Sequence, residues 1–169
     1  MRRRLSQRRG NMALETALFL PLLLLLIVGM VQIGKITYIY YTLKKTLYTL
    51  AMYLSTQQGV NFCDDGDALI AAAKNYALTG NTDDSGSSFL PALTADMISV
   101  QAERVDPTTG NLASCDCSAT GCDVAAGGGA PDFIVVTIPD GYTVQLRIPY
   151  ILIDPIPLRP EVRIPYGGT

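Results

Sequence analysis

The feature that most constrains this chain is a run of 19 residues without a charge, Thr16–Gly34, whose middle reads Phe19-Leu-Pro-Leu-Leu-Leu-Leu-Leu-Ile-Val28. At a helical rise of 1.5 Å per residue the run spans about 28 Å, close to a hydrocarbon core about 30 Å thick. It is longer than the apolar region of a secretory signal, and no A-x-A cleavage site follows it. The spacing therefore predicts one retained membrane helix. Charge agrees with this. Residues 1–10 carry Arg2, Arg3, Arg4, Arg8 and Arg9 and no acid, while the remainder of the chain is acidic. A basic flank before an apolar span stays on the cytoplasmic side, so the body is expected outside the cytoplasmic membrane. Five terminal arginines flanking a span do not make a basic face, which argues against a nucleic-acid partner.

The apolar pattern does not stop at the span. Ile33, Ile36, Tyr40, Leu43, Leu47, Leu50 and Leu54 recur at alternating intervals of three and four, a heptad-like seam. One helix over about 11–58 is expected, membrane-spanning over about 16–34, with Gln57, Gln58 and Gly59 ending it. The outer half presents a stripe either to the chain's own sheet or to helices of neighbouring subunits. Tyrosines at 38, 40, 41, 48 and 53 suit the membrane interface and the packed region above it. Pro21 removes one helix hydrogen bond and invites a kink, while Gly29 and Gly34 permit close approach by another helix.

Residues 59–169 read as a small extracytoplasmic α+β domain. Asp67 and Gly80 bracket a short helix near 68–78 as N-cap and C-terminal stop. Residues 97–105 alternate as a strand and Asp106–Gly110 is a turn. Phe133–Ile138 is rich in β-branched residues and reads as a buried strand. Pro139–Gly141 turns the chain, and Tyr142–Ile148 is expected to pair back as a hairpin. Prolines at 149, 155, 157, 160 and 165 restrict the tail to edge or covering roles, with a final short strand near 161–164. Residues 111–131 show no period and read as an irregular disulfide loop. The expected fold is a long N-terminal transmembrane helix running into a small antiparallel sheet.

Cys63, Cys115, Cys117 and Cys122 all follow the span. An even number of cysteines in an exported domain reads as two disulfides, with three possible connectivities. A bridge from Cys63 to the 115–122 cluster is preferred, because closing a long loop removes more unfolded-state entropy. The rival, a zinc site, has the ligand count but lacks a C-x2-C knuckle. No metal or other cofactor is expected. Asp64, Asp65 and Asp67 lack the EF-hand pattern and its terminal Glu, so turn and cap duty is expected of them. The chain has no His, which removes the commonest general base, and it carries no G-x-S-x-G, Walker A or G-x-G-x-x-G motif. A non-catalytic protein is expected.

The junction Arg8-Arg9-Gly10-Asn11-Met12-Ala13-Leu14-Glu15 precedes the span directly. It resembles the class III signal of type IV pilin-like precursors, which has a basic leader, a cut after Gly and a Glu at the fifth mature position. Counted from Asn11, Glu15 is fifth. The wider pattern, with Pro21 early in the span and a small strand-rich C-terminal domain, resembles the TadE/TadG-like proteins of tight-adherence (Tad) pilus systems. Processed members often carry an aromatic residue beside the Glu, where this chain has Thr16. The resemblance implies removal of residues 1–10 by a membrane prepilin peptidase with its active site on the cytoplasmic side. It further implies that Glu15 pairs with the new α-amino group of Asn11 in a neighbouring subunit, setting register within a homo- or hetero-oligomer. Independently, a carboxylate at the edge of an apolar run is costly unless it is paired or hydrated, so a hydrated Glu15 near Arg9 stands beside the paired one. The function implied is a structural minor pilin or pseudopilin that assembles through its helix and ends in the membrane or in an extracellular pilus. The alternative is an uncleaved bitopic protein whose outer domain binds a ligand or partner.

Overall fold

A computed structural model of the chain describes residues 2–83, 85–115, 117, 127–148 and 153–168, with backbone alone at 2–11 and 13. The described residues fall into two compact units: Met1–Tyr38 with Gln145–Pro155, and Ile39–Val144 with Ile156–Thr169.

Helix α1 (Arg2–Ser55) contributes to both units. It begins nearer the N-terminus than the sequence predicts, because arginines are good helix formers and a single glycine at position 10 weakens a helix without ending it. The helix passes without a break across Pro21. It ends at Ser55, three residues short of the expected boundary. Thr56 and Gln57 donate their N–H groups to the carbonyls of Tyr53 and Leu54, tightening the last turn. The C-terminal tail then supplies further donors: the Gly167 N–H to Ser55 O (3.0 Å) and the Tyr166 hydroxyl to Gln57 O (2.7 Å). Carbonyls that a helix end leaves without partners are thus met by the far end of the chain.

In the larger unit, helix α2 (Ala68–Thr79) is capped as its sequence predicts. Asp67 Oδ1 accepts from the N–H groups of Leu69 and Ile70, and Gly80 takes the left-handed conformation with φ 86° and donates to Tyr76 O. A short 3-10 turn (Ala95–Met97) leads into strand β1 (Ser99–Val105). Strand β2 (Leu112–Ser114) pairs antiparallel with β1 through Glu103–Ser114 and Val105–Leu112. The turn between them is closed by Asp106, whose carboxylate accepts from the Thr108 N–H and the Thr109 hydroxyl. These hydrogen bonds, that from Thr108 foremost, hold its carboxyl below the ordinary value. Strand β3 (Phe133–Thr137) lies on the other side of β1, and strand β6 (Glu161–Pro165) lies beyond β3, giving the order β2-β1-β3-β6, antiparallel throughout. The short tail strand expected near 161–164 is therefore β6, on the sheet edge where proline is tolerated.

Two expectations are corrected here. Residues 112–114 form a strand inside the segment read as irregular. Tyr142–Ile148 does not pair back on β3. Its first part, strand β4 (Tyr142–Val144), pairs instead with strand β5 (Ile156–Leu158) in a separate two-stranded sheet. The reason is occupancy: both edges of β3 are already taken by β1 and β6, so a third partner has no backbone groups to bond. The turn is tight as well. Gly141 has φ 80°, and a side chain there would meet Pro157 at 2.9 Å.

One apolar cluster holds the larger unit. Leu43, Leu47, Leu50, Ala51 and Leu54 of α1 have no exposed surface, and they share the cluster with Ile70, Ala73 and Ala77 of α2. The sheet contributes Val100, Ala102, Ile134, Val136, Val162 and Ile164 from one face, the alternation expected of strands with one covered side. On the opposite face Arg163 reaches across β3 to Glu103. One aligned hydrogen bond runs from Nη2 to Oε1 at 3.0 Å, and Nε approaches Oε2 at 3.0 Å off the hydrogen-bond line. Cys63 is bonded to Cys117, 54 residues away in sequence, which ties the loop before α2 to the segment after β2.

Candidate anchoring and assembly site

The residues expected to anchor and assemble the protein lie along the N-terminal part of α1. From Leu14 to Ile27 every side chain is exposed within its unit, and Leu18 and Phe19 remain 73% and 63% exposed. Within Leu14–Ser55 the mean hydropathy reaches 2.5 over 18 residues, and α1 is long and apolar enough to cross a membrane. Burying one leucine side chain is worth about 1.5–3 kcal/mol. Leu20, Leu22, Leu23, Leu24, Leu25 and Leu26 together therefore represent a large cost in water, and lipid or other helices must cover them.

Glu15 is the sole acid in α1. Its carboxylate is exposed, and no ion pair or hydrogen bond to it is found among the described residues. Thr16 turns its hydroxyl back to Met12 O at 2.8 Å, so it does not compete for the Glu15 carboxylate. Gly10 and Asn11, the expected cleavage pair, lie in helical backbone five and four residues before Glu15. Pro21 lacks the N–H that Ala17 O would accept one turn earlier. An added side-chain carbon at Gly29 or Gly34 would meet nothing within 4 Å, so neither glycine is filled by the chain itself.

Of the four cysteines, Cys63 and Cys117 are bonded to each other, Cys115 is also in a disulfide, and Cys122 lies outside the described residues. Two thiols of the supposed zinc set are thus joined to each other. Among the described residues no group of three or more His, Cys, Asp or Glu side chains could hold a metal ion. Asp64 accepts from the Gly66 N–H, and Asp67 caps α2 while its second oxygen accepts from the Asn61 N–H. These are turn and cap duties. The larger unit also carries an open groove of about 500 Å³ between α1 (Tyr41, Lys44, Lys45, Tyr48) and β6 (Glu161–Ile164). It presents two ammonium groups beside a sheet edge and no nucleophile–base pair.

One polar residue of the span has a role the seam does not predict. The Gln32 amide donates from Nε2 to Arg147 O at 2.7 Å. The signal was its isolation as the single side-chain amide of the uncharged run.

The geometry of an uncovered apolar helix with one acid at its head can be set beside known families. Residues 10–52 match the family described as TadE-like protein. The N-terminal part of this chain is similar to that family over these residues alone. The match begins at Gly10, takes in Glu15 and Pro21, and ends within the buried Leu43–Leu54 stripe. This is the family the junction motif resembles. No curated protein and no solved structure matches the chain. The segment that matches the TadE-like family and the one such apolar helix among the described residues together fit a single-pass membrane protein.

Proposed function

We propose that the chain is a structural, pilin-like subunit, of minor pilin or pseudopilin type, that assembles through its N-terminal helix in a Tad-type pilus or secretion system. The observation that carries this reading is the TadE-like match over residues 10–52, which takes in the apolar stretch Leu14–Ile27 that stays exposed within its unit. Arg2–Arg9 keep the N-terminus in the cytoplasm, Thr16–Gly34 spans the membrane, and residues 59–169 stand outside. A membrane prepilin peptidase adds water across the Gly10–Asn11 bond, leaving a carboxylate on Gly10 and an amino group on Asn11. That bond sits in helical backbone, so the first turns must unwind for cleavage, and Gly10 makes this easier by about 1 kcal/mol relative to alanine.

The Asn11 ammonium of one subunit then meets the Glu15 carboxylate of another. At the membrane edge such a pair offsets the cost of placing either charge alone, and it fixes the axial register of neighbouring helices. The Leu18–Ile27 surface exchanges lipid for other helices, with Gly29 and Gly34 allowing close approach. A kink at Pro21 would let the anchor tilt relative to its outer half. The Cys63–Cys117 bond holds the outer domain closed in an oxidising compartment.

Glu15→Ala tests the register role. The variant is expected to reach the membrane in normal amount and to drop out of sheared surface fibres and of crosslinked subunit ladders. Normal incorporation would remove Glu15 from the mechanism.

A further inference from the structure

In the smaller unit, the described residues 145–148 and 153–155 belong with the N-terminal helix. The contact is specific. Val28, Gly29, Gln32 and Ile36 are half-buried, whereas Leu14–Ile27 are all exposed. These four residues lie on one helical face, spread over about 12 Å of axis. Within that face the Gln32 amide donates to Arg147 O at 2.7 Å, and Gln32 Oε1 is buried with no partner among the described residues. A backbone carbonyl thus reaches Gln32, which sits three residues before Lys35, the first charge after the span.

If Thr16–Gly34 crosses the membrane, Gln32 lies just inside the outer edge of the hydrocarbon, about 4.5 Å below Lys35 along the axis. The backbone at Arg147 must then lie at the same depth. Its composition suits that depth. Leu146 and Ile148 are half-buried and Ile153 is exposed, while Arg147 and Asp154 are exposed and charged. At the boundary of headgroups and acyl chains, aliphatic side chains leave water and a cation meets lipid phosphate, a combination found where protein lies on a bilayer. A carbonyl partner also makes an amide tolerable there, where an unpaired one is costly.

We propose that this segment is a second membrane contact. Leu146, Ile148 and Ile153 enter the outer interfacial layer beside the N-terminal helix, and the Gln32–Arg147 hydrogen bond holds them at that depth. The bilayer is the partner because the segment lies in the same compact unit as the apolar span and at the level of the span's outer end. The proposal rests on the reading of Thr16–Gly34 as the span, and the test separates the two.

The full chain is reconstituted in vesicles of phosphatidylcholine and phosphatidylglycerol with benzoylphenylalanine replacing one residue at a time: Ile153, Leu24 in the span, or Glu161 on β6. After irradiation, lipid adducts are read by mass, and the intact Cys63–Cys117 bond, checked without reductant, reports folding. Lipid adducts at 153 comparable to those at 24, with none at 161, are expected. Adducts at 24 but none at 153, or crosslinks from 153 to a second chain, would overturn the second contact and leave the span standing. No adducts at 24 would overturn the span and the second contact with it.

Discussion

Tyr166 shows how much one side chain can close. Its hydroxyl donates to Gln57 O, and its ring meets Phe62 edge-on with centroids 5.5 Å apart. Burial pushes its phenol above the ordinary 10.0. A group whose pKa is raised on folding contributes stability that is complete below the unfolded value and is lost as pH rises through the folded one. Alkaline conditions above about pH 10 should therefore weaken the fold partly through Tyr166, whose phenolate has no proton to donate. Tyr166→Phe is expected to cost about 1 kcal/mol in denaturant unfolding of the detergent-solubilised chain, and to reduce the alkaline loss. An unchanged midpoint would show that water replaces the phenol at no cost. Asp67 and Gly80 were legible from sequence because a cap acts on neighbours two to four residues away. Tyr166 and Gln57 are 109 positions apart, and Gln32 and Arg147 are 115 apart. No local period marks such pairs.

At the scale of elements, apolar spacing told more about faces than about partners. The stripe through Leu43, Leu47, Leu50 and Leu54 was visible as a three–four repeat, and these four side chains have no exposed surface. The same repeat at Ile33 remains 66% exposed, since spacing alone does not say where a core ends. Leu47→Ala should lower unfolding stability by about 2–5 kcal/mol through the cavity it leaves, while Ile33→Ala should leave the larger unit's stability unchanged. Equal effects of the two would contradict the assignment of the core. Strands behaved likewise. Alternation identified β1, β-branched composition identified β3, and the proline-restricted tail left room for β6, but none of these could show that β3 has both edges filled and that β4 must look to β5. Strand β2 was missed because Leu112–Ser114 is exposed along its whole length and carries no alternation. It is a strand through its register on β1. The cross-link is an element-scale device too. With Cys63 and Cys117 54 positions apart, the paired change of both to serine is expected to cost about 4 kcal/mol, read as a lower denaturant midpoint. A change under about 1 kcal/mol would mean that the core already confines that loop in the unfolded chain.

For the whole molecule, the governing fact is that the exposed apolar surface is concentrated on one helix, and that this helix carries the TadE-like match. The long apolar run, the basic flank and the Gly10–Glu15 spacing were all readable in order along the chain, because targeting and anchoring signals act on a linear sequence. What the helix meets beyond the lipid is a property of several chains and leaves no period in one. The central claim is that this is a pilin-like precursor matured for assembly, and the intact mass of the protein purified from its native membranes tests it most directly. A chain that begins at Asn11 is the predicted result, with the new amino group available to Glu15 of a neighbour. A chain that still begins at Met1 would contradict maturation, leaving a permanent single-pass anchor whose outer domain does the binding.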